Sequence, residues 1–270
     1  MTDVINDENG GRSNGQPNGQ PKRSRKVDEE RRRLLRSMAV GGVVTCAALA
    51  GLLQHRMAHA ESRLRPPGAL DEEAFLAACI KCGQCVQVCP IRAIHLGDLD
   101  EGLGNGVPYI VARDQACDFS CDATQCILAC PTGALSHLID KKEQVKMGVA
   151  KLAAPDACLA RKGLGHKGTA RGGGFSGVLR YPEVDRWKAQ RVAGRTYELD
   201  LCDLCVRHCP IEGAIALEPV SPDPADKRRT PVVEASCVGC GVCEMMCPSE
   251  PVAIRIEVLT TDREPKGRHA

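Results

Sequence analysis

Sixteen of the seventeen cysteines fall into four runs, and their spacing constrains the fold more than any other feature of the chain. The first and last runs share the spacing C-x2-C-x2-C-x3-C-P. They contain Cys79, Cys82, Cys85 and Cys89, and Cys237, Cys240, Cys243 and Cys247. A pattern repeated in this way at both ends of the chain predicts a structural repeat that uses thiols as ligands.

The two middle runs are looser versions of the same pattern. The second contains Cys117, Cys121, Cys126 and Cys130, and the third shows only Cys202, Cys205 and Cys209. Cys117 follows Cys89 by 28 positions, Cys237 follows Cys209 by 28, and 28 positions beyond Cys130 lies Cys158. Cys158 is therefore the predicted first cysteine of the third run, and residues 159–201 are an insertion within that run.

This spacing is typical of proteins that bind [4Fe–4S] clusters. Two intervening residues let one loop reach three iron atoms, while the fourth cysteine binds the neighbouring cluster. Two runs then form one two-cluster domain, and the sixteen cysteines bind four clusters. We favour pairing of consecutive runs because sequence neighbours tend to be spatial neighbours; pairing of run one with four and of two with three is the alternative. Consecutive pairing predicts four ligand sets: Cys79, Cys82, Cys85 and Cys130; Cys89, Cys117, Cys121 and Cys126; Cys158, Cys202, Cys205 and Cys247; and Cys209, Cys237, Cys240 and Cys243.

The composition agrees with a fold built around metal clusters. Only 3% of the residues are aromatic, whereas there are 27 Gly and 17 Pro, so large side chains supply little buried area. We predict an α+β chain of two tandem ferredoxin-like domains, residues 61–150 and 151–262, with a small core and a polar tail at 263–270. Zinc ribbons and eight disulfides are the competing interpretations, and the grouping in fours with a following proline favours neither.

The first sixty residues predict an export signal. Residues 1–30 are polar and are expected to be disordered, and residues 31–60 contain a basic segment, sixteen apolar-rich residues at 38–53 and Ala58-His59-Ala60. This order is typical of a cleaved signal peptide, with the mature chain beginning at Glu61. Arg31 and Arg32 resemble a twin-arginine signal, which would export the folded protein to the periplasm. An uncleaved membrane anchor is the alternative.

The remaining features favour a carrier rather than an enzyme. The formal charge is only +2, which argues against nucleic-acid binding through net charge, and no nucleophile–base arrangement is evident. The insertion carries nine Lys and Arg against four Asp and Glu. We expect it to be a flexible solvated loop, with a docking patch for an acidic redox partner as the alternative. His208 is expected to be a solvated spacer.

The leader and the four Cys-Pro runs, the second loosened and the third split, resemble the MauM/NapG ferredoxin-type family. The resemblance implies a periplasmic iron–sulfur protein of methylamine utilisation or nitrate reduction. It implies electron relay from a membrane quinol-oxidising iron–sulfur protein to a periplasmic reductase or dehydrogenase. Maturation of a dehydrogenase such as methylamine dehydrogenase is the alternative function. The gap from Cys158 to Cys202 is wider than is usual in the family and places Cys158 in most doubt.

Overall fold

The computed structural model describes residues 25–58, 63–98, 104–121 and 123–259. These residues fall into two compact units, divided between His59 and Ala60. Residues 1–24, 59–62 and 260–270 lie outside the described residues. These ranges contain most of the polar N-terminus, the predicted cleavage site and the predicted tail.

The first unit contains a single helix, α1, Arg25–Ala58. It includes the arginines of the predicted export signal, and the side chains described along it, from 29 to 46, are exposed. The helix begins within the polar segment that was expected to be disordered. Among the described residues, no helix combines the length and apolar character needed to cross a membrane.

The second unit contains short helices and short strands. The helices are α2 (Glu72–Ala78), α3 (Gln84–Gln87), α4 (Gln125–Leu128), α5 (Pro182–Asp185), α6 (Leu204–Arg207) and α7 (Val242–Met246). The strands are β1 (His95–Leu96), β2 (Pro108–Tyr109), β3 (Gly148–Leu152), β4 (His166–Thr169), β5 (Val178–Tyr181), β6 (Arg186–Arg191), β7 (Thr196–Leu199), β8 (Ile215–Pro219), β9 (Arg229–Val233) and β10 (Ile254–Val258). This mixed content agrees with the predicted α+β class.

All of these strands form two-stranded antiparallel sheets: β1–β2, β3–β10, β4–β7, β5–β6 and β8–β9. The pairing of β3 with β10 joins the middle of the chain to its last described strand, with Ile254 opposite Leu152. Strand β3 spans the predicted domain boundary at residue 150, and its partner β10 belongs to the predicted second domain.

The core is small and is distributed among the cysteine runs. Phe75, Ile127 and Leu135 are fully buried in the first half, and Leu204 and Met246 are fully buried in the second. Buried cysteines belong to the same hydrophobic clusters. The thiols therefore replace much of the apolar volume that aromatic side chains supply in other chains of this length.

The insertion is not the flexible loop that its composition indicates. It forms two antiparallel strand pairs, β4 with β7 and, between them in the sequence, the β5–β6 hairpin, and it buries Leu179 and Tyr181. The reason lies outside the insertion, because the β5–β6 hairpin binds the loop of the second cysteine run. Gln115 donates to the carbonyl of Val178 at 2.8 Å and accepts from its N–H at 2.8 Å.

Candidate metal-cluster sites

The structure brings the sixteen predicted cysteines together in four groups of four. Three of these groups line separate cavities. In the fourth, Cys89, Cys121 and Cys126 lie close enough for their thiolates to repel one another, as do Cys117 and Cys126. The groups have the composition expected from pairing of consecutive runs with exchanged fourth cysteines. We name them site 1 (Cys79, Cys82, Cys85, Cys130), site 2 (Cys89, Cys117, Cys121, Cys126), site 3 (Cys158, Cys202, Cys205, Cys247) and site 4 (Cys209, Cys237, Cys240, Cys243).

Left-handed backbone conformations bend the cysteine loops of the first, second and last runs. In the first run Lys81 and Gly83 have φ of 58° and 73°, and in the last run Gly239 and Gly241 have φ of 73° and 91°. The two runs therefore share one loop shape, although only the last has glycine at both positions, where it adopts this conformation without strain. In the second run, Thr124 takes the same position two residues before the third cysteine, with φ of 43°.

A short helix then separates the third and fourth cysteines of each run. Cys85, Cys126, Cys205 and Cys243 are the second residues of α3, α4, α6 and α7. Helices α3 and α4 pack together, as do α6 and α7. Each helix directs the fourth cysteine of its run towards the helix packed against it. Each site therefore takes its fourth thiol from the other run of the pair.

Burial disfavours the thiolate form at most of these cysteines. Burial, strengthened by repulsion from neighbouring thiolates, raises the pKa of Cys85 to about 11 and that of Cys126 to about 12. In the second half, burial raises the pKa of Cys202 to about 11 and that of Cys240 to about 12. Only bound cations can hold so many thiolates together, and binding them releases protons.

The pKa of Cys130 shifts in the opposite direction. Burial raises its pKa, but hydrogen bonds outweigh burial and the net pKa is lowered. The Leu135 N–H donates to its Sγ at 3.5 Å, and the Thr132 hydroxyl lies 3.8 Å from the same atom. The Ala93 N–H approaches the Cys89 Sγ similarly, at 3.3 Å. Such hydrogen bonds to sulfur are one of the means by which a protein tunes a cluster.

The donor set of every site suits an iron–sulfur cluster, because it consists of four thiols. The cavities at sites 1, 3 and 4 are lined mainly by apolar residues. All seventeen cysteines lie among the described residues, and none of them forms a disulfide. In that same part of the chain, no three or more His, Cys, Asp or Glu side chains are arranged to hold a single metal ion.

His208 is not the solvated spacer that was expected. It is half-buried, its Nε2 lies 2.9 Å from the Tyr197 hydroxyl, and its ring meets Tyr181 and Tyr197 edge-on. Both tyrosines come from the insertion. The sequence could not indicate this contact, because it depends on how the insertion folds.

The comparisons with known proteins agree with this arrangement. The 4Fe-4S dicluster domain family Fer4_7 matches residues 78–134 and 200–250. The ferredoxin-type protein NapG of Escherichia coli (strain K12) is 35% identical over 253 residues, covering 92% of this chain and 94% of the relative. The chain belongs to the NapG and MauM ferredoxin-type family. The relatives are named ferredoxin-type proteins, and this chain matches a 4Fe-4S domain. The predicted family is therefore confirmed.

Both branches of the family lie at similar distance. The methylamine utilization ferredoxin-type protein MauM of Methylophilus methylotrophus is 35% identical, with 83% of each chain covered. MauM of Paracoccus denitrificans (strain Pd 1222) is 38% identical, over 72% of this chain and 70% of the relative. No solved structure matches the chain.

Proposed function

We propose that this chain is an electron carrier that holds four [4Fe–4S] clusters in two tandem ferredoxin-like domains, one cluster at each of sites 1 to 4. The observation that carries the proposal is the gathering of sixteen cysteines, from runs up to 89 positions apart in the case of Cys158 and Cys247, into four groups of four. The match to a dicluster domain in both halves supports it.

The chain's own residues would bind, orient and cover the clusters. The sixteen thiolates provide the bonds, backbone N–H groups donate to sulfur, and apolar side chains exclude water from the cavities. When bound, each cluster accepts or releases one electron. We propose no substrate site of the chain's own, so the protein serves as a carrier and not as an enzyme.

The proposed partners are a membrane quinol-oxidising iron–sulfur protein and a periplasmic reductase or dehydrogenase. The support is the family membership, together with the basic, apolar and small-residue segments that precede residue 61. We propose twin-arginine export to the periplasm, with a membrane-anchored form if the signal is retained.

Metal counting tests the cofactor content. Anaerobically purified protein is expected to contain about sixteen iron atoms and as many acid-labile sulfides per chain, four for each of four clusters. About twelve would remove one site from the proposal, with Cys158 as the first suspect ligand. A colourless, compact protein would overturn it.

Reduction kinetics separate electron transfer from maturation. The loaded protein is mixed anaerobically with a quinol-oxidising membrane protein and quinol, and its visible absorbance is followed. An electron carrier is expected to be bleached rapidly and then reoxidised by the periplasmic enzyme. Slow reduction, combined with loss of an active dehydrogenase when the protein is absent, would instead establish the maturation role.

A further inference from the structure

Sites 2 and 4 meet although they belong to different halves of the chain. The Cys117 N–H donates to the carbonyl of Cys240 at 3.2 Å, and the Cys240 thiolate contributes to the raised pKa of Cys117. One residue before, the Ala116 N–H points to the Met245 Sδ at 3.3 Å. The loop that carries Cys117 therefore lies directly against the last cysteine run.

Small residues allow this close approach. A Cβ added to Gly241 would lie 2.6 Å from the Cβ of Ala112 and 3.4 Å from that of Ala116. Gly241 also has φ of +91°, a conformation that other residues rarely adopt. Both the contact and the loop shape around site 4 thus require glycine at this position.

The other neighbours lie within each half. Helix α3, which carries Cys85 of site 1, packs against α4, which carries Cys126 of site 2. In the same way α6, which carries Cys205 of site 3, packs against α7, which carries Cys243 of site 4. Together with the contact between Cys117 and Cys240, these pairs define an order. The sites follow one another as 1, 2, 4 and 3, which differs from the order of the cysteine runs along the chain.

Arg113 holds the two halves together where sites 2 and 4 meet. Its side chain is 18% exposed and donates from Nη1 to the carbonyls of Glu244 and Cys247, each at 2.7 Å. From Nη2 it donates to the Ser249 carbonyl at 3.3 Å and pairs with the Glu250 carboxylate at 2.5 Å. One arginine from the first half therefore binds four groups at the end of α7 and just beyond it.

Arg171 of the insertion strengthens the same junction. Its Nη1 donates to the carbonyl of Arg113 at 2.8 Å and to that of Met245 at 3.2 Å. The insertion thus contacts both sides of the junction, which explains why a basic, glycine-rich segment is ordered here.

We infer that the four sites form one row in the order 1–2–4–3, and that Arg113 is a positioning residue that fixes the contact between the two inner sites. The inference rests on the proposed function in that it takes the four thiol groups as cluster sites. It adds that the two halves act as one row and not as two independent pairs.

The experiment compares Arg113→Gln and Arg113→Lys with a matched control, Arg161→Gln. Arg161 donates to the Thr230 hydroxyl within the second half, away from the junction. Each protein is purified anaerobically, its iron is counted, and the EPR spectrum is recorded after full reduction. Reduced clusters that lie close together broaden and split each other's EPR signals. The spectrum therefore reports the strength of the interaction between neighbouring sites.

Arg113→Gln is expected to retain the wild-type iron content and to lose part of the broadening, because only the interaction between sites 2 and 4 is weakened. Arg113→Lys should restore much of it, since an ammonium group can still donate to carbonyls, and Arg161→Gln should match the wild type. An unchanged spectrum in an Arg113→Gln protein of normal iron content would overturn the inference. A wild-type protein without clusters would instead overturn the proposed function.

Hydrogen exchange tests the junction without any substitution. In the loaded wild-type protein the Cys117 amide should be as protected as the Ala154 amide, which donates to Ala253 within the second half. Exchange of Cys117 at least about tenfold faster than Ala154 would contradict a fixed junction.

Discussion

The two ends of the row differ in how they are covered. At site 1, Cys82 and the neighbouring Ile80 are exposed, with 64% of Ile80 open to solvent. At site 3, Cys158, Cys202 and Cys247 are 7%, 9% and 7% exposed. Both ends have four thiols, so the ligand set alone does not distinguish them. Solvent exposure is one of the properties that set cluster potentials, so the two ends should differ in potential and in access for a partner.

The cover over site 3 comes from the start of the insertion. Leu159 lines the cavity, and the Cys202 N–H donates to the carbonyl of Leu164 at 3.0 Å. Site 1 has no comparable segment between its cysteines, since only two residues separate Cys79 from Cys82. The long interval within the third run is thus the origin of the asymmetry.

The largest expected effect comes from removing a ligand at the closed end. Cys158→Ser should lower the iron content from about sixteen to about twelve atoms and lower the melting temperature, because metal binding stabilises the fold. Cys82→Ser should retain more iron, since small thiols or water can reach the vacant position. Iron assays and thermal unfolding measure both effects.

The control for that pair is Cys46→Ser, which changes an exposed cysteine of α1. It should leave the iron content and the melting temperature unaltered. If Cys158→Ser also kept about sixteen irons, the assignment of Cys158 to site 3 would be wrong.

Oxidant sensitivity sharpens the same comparison. A brief exposure of the loaded protein to peroxide, followed by alkylation and peptide mapping, should label Cys82 before Cys158 or Cys202. Exposed thiolates react first, and the apolar cover delays oxidant at site 3. Equal labelling of both ends would show that the insertion does not shield its site in solution.

A smaller effect is expected where the insertion binds the second run. Gln115→Ala removes two hydrogen bonds to the half-buried backbone of Val178, which costs about 1–3 kcal/mol. Denaturant unfolding of the loaded protein measures this loss. Gln144→Ala is the control, because Gln144 accepts only from the exposed backbone of Asp140 and Lys141 and should change stability far less.

The smallest effect is expected at the outer strand pair of the insertion, β4–β7. Lys167 and Glu198 pair across β4 and β7 at 2.9 Å, but their side chains are 75% and 79% exposed. Lys167→Ala should therefore change the free energy of unfolding by less than about 1 kcal/mol. A larger loss in the same unfolding assay would mean that this strand pair binds a further part of the protein.

Much of the site arrangement could be predicted because it depends on local spacing. The C-x2-C-x2-C loops, the short helix and the proline recur at fixed intervals, so the interval of 28 positions located Cys158 across a long insertion. The structure then places Cys158 beside Cys202 and Cys205. The repetition did not decide which runs exchange their fourth cysteines; that prediction depended on the tendency of sequence neighbours to be spatial neighbours.

The junction and the insertion could not be predicted, because their stability comes from groups distant in the sequence. Arg113 reads as an ordinary basic residue, and its acceptors are mostly backbone carbonyls beyond residue 243, which have no sequence signature. The composition of the insertion predicts a loop, because the contacts that order it come from Gln115 and Asp118 outside it. Asp118 accepts a hydrogen bond from the Arg180 N–H at 2.9 Å.

The pairing of β3 with β10 has a consequence for synthesis. Residues made near the midpoint of the chain must wait for the last described strand, and site 3 must wait for Cys247. A nascent chain that contains only the first two runs has all the cysteines of sites 1 and 2. The surface formed by Ala112 and Ala116 is still exposed at that stage, because the last run has not been made. Premature termination before residue 240 would thus yield a fragment whose inner edge is open to water and oxygen.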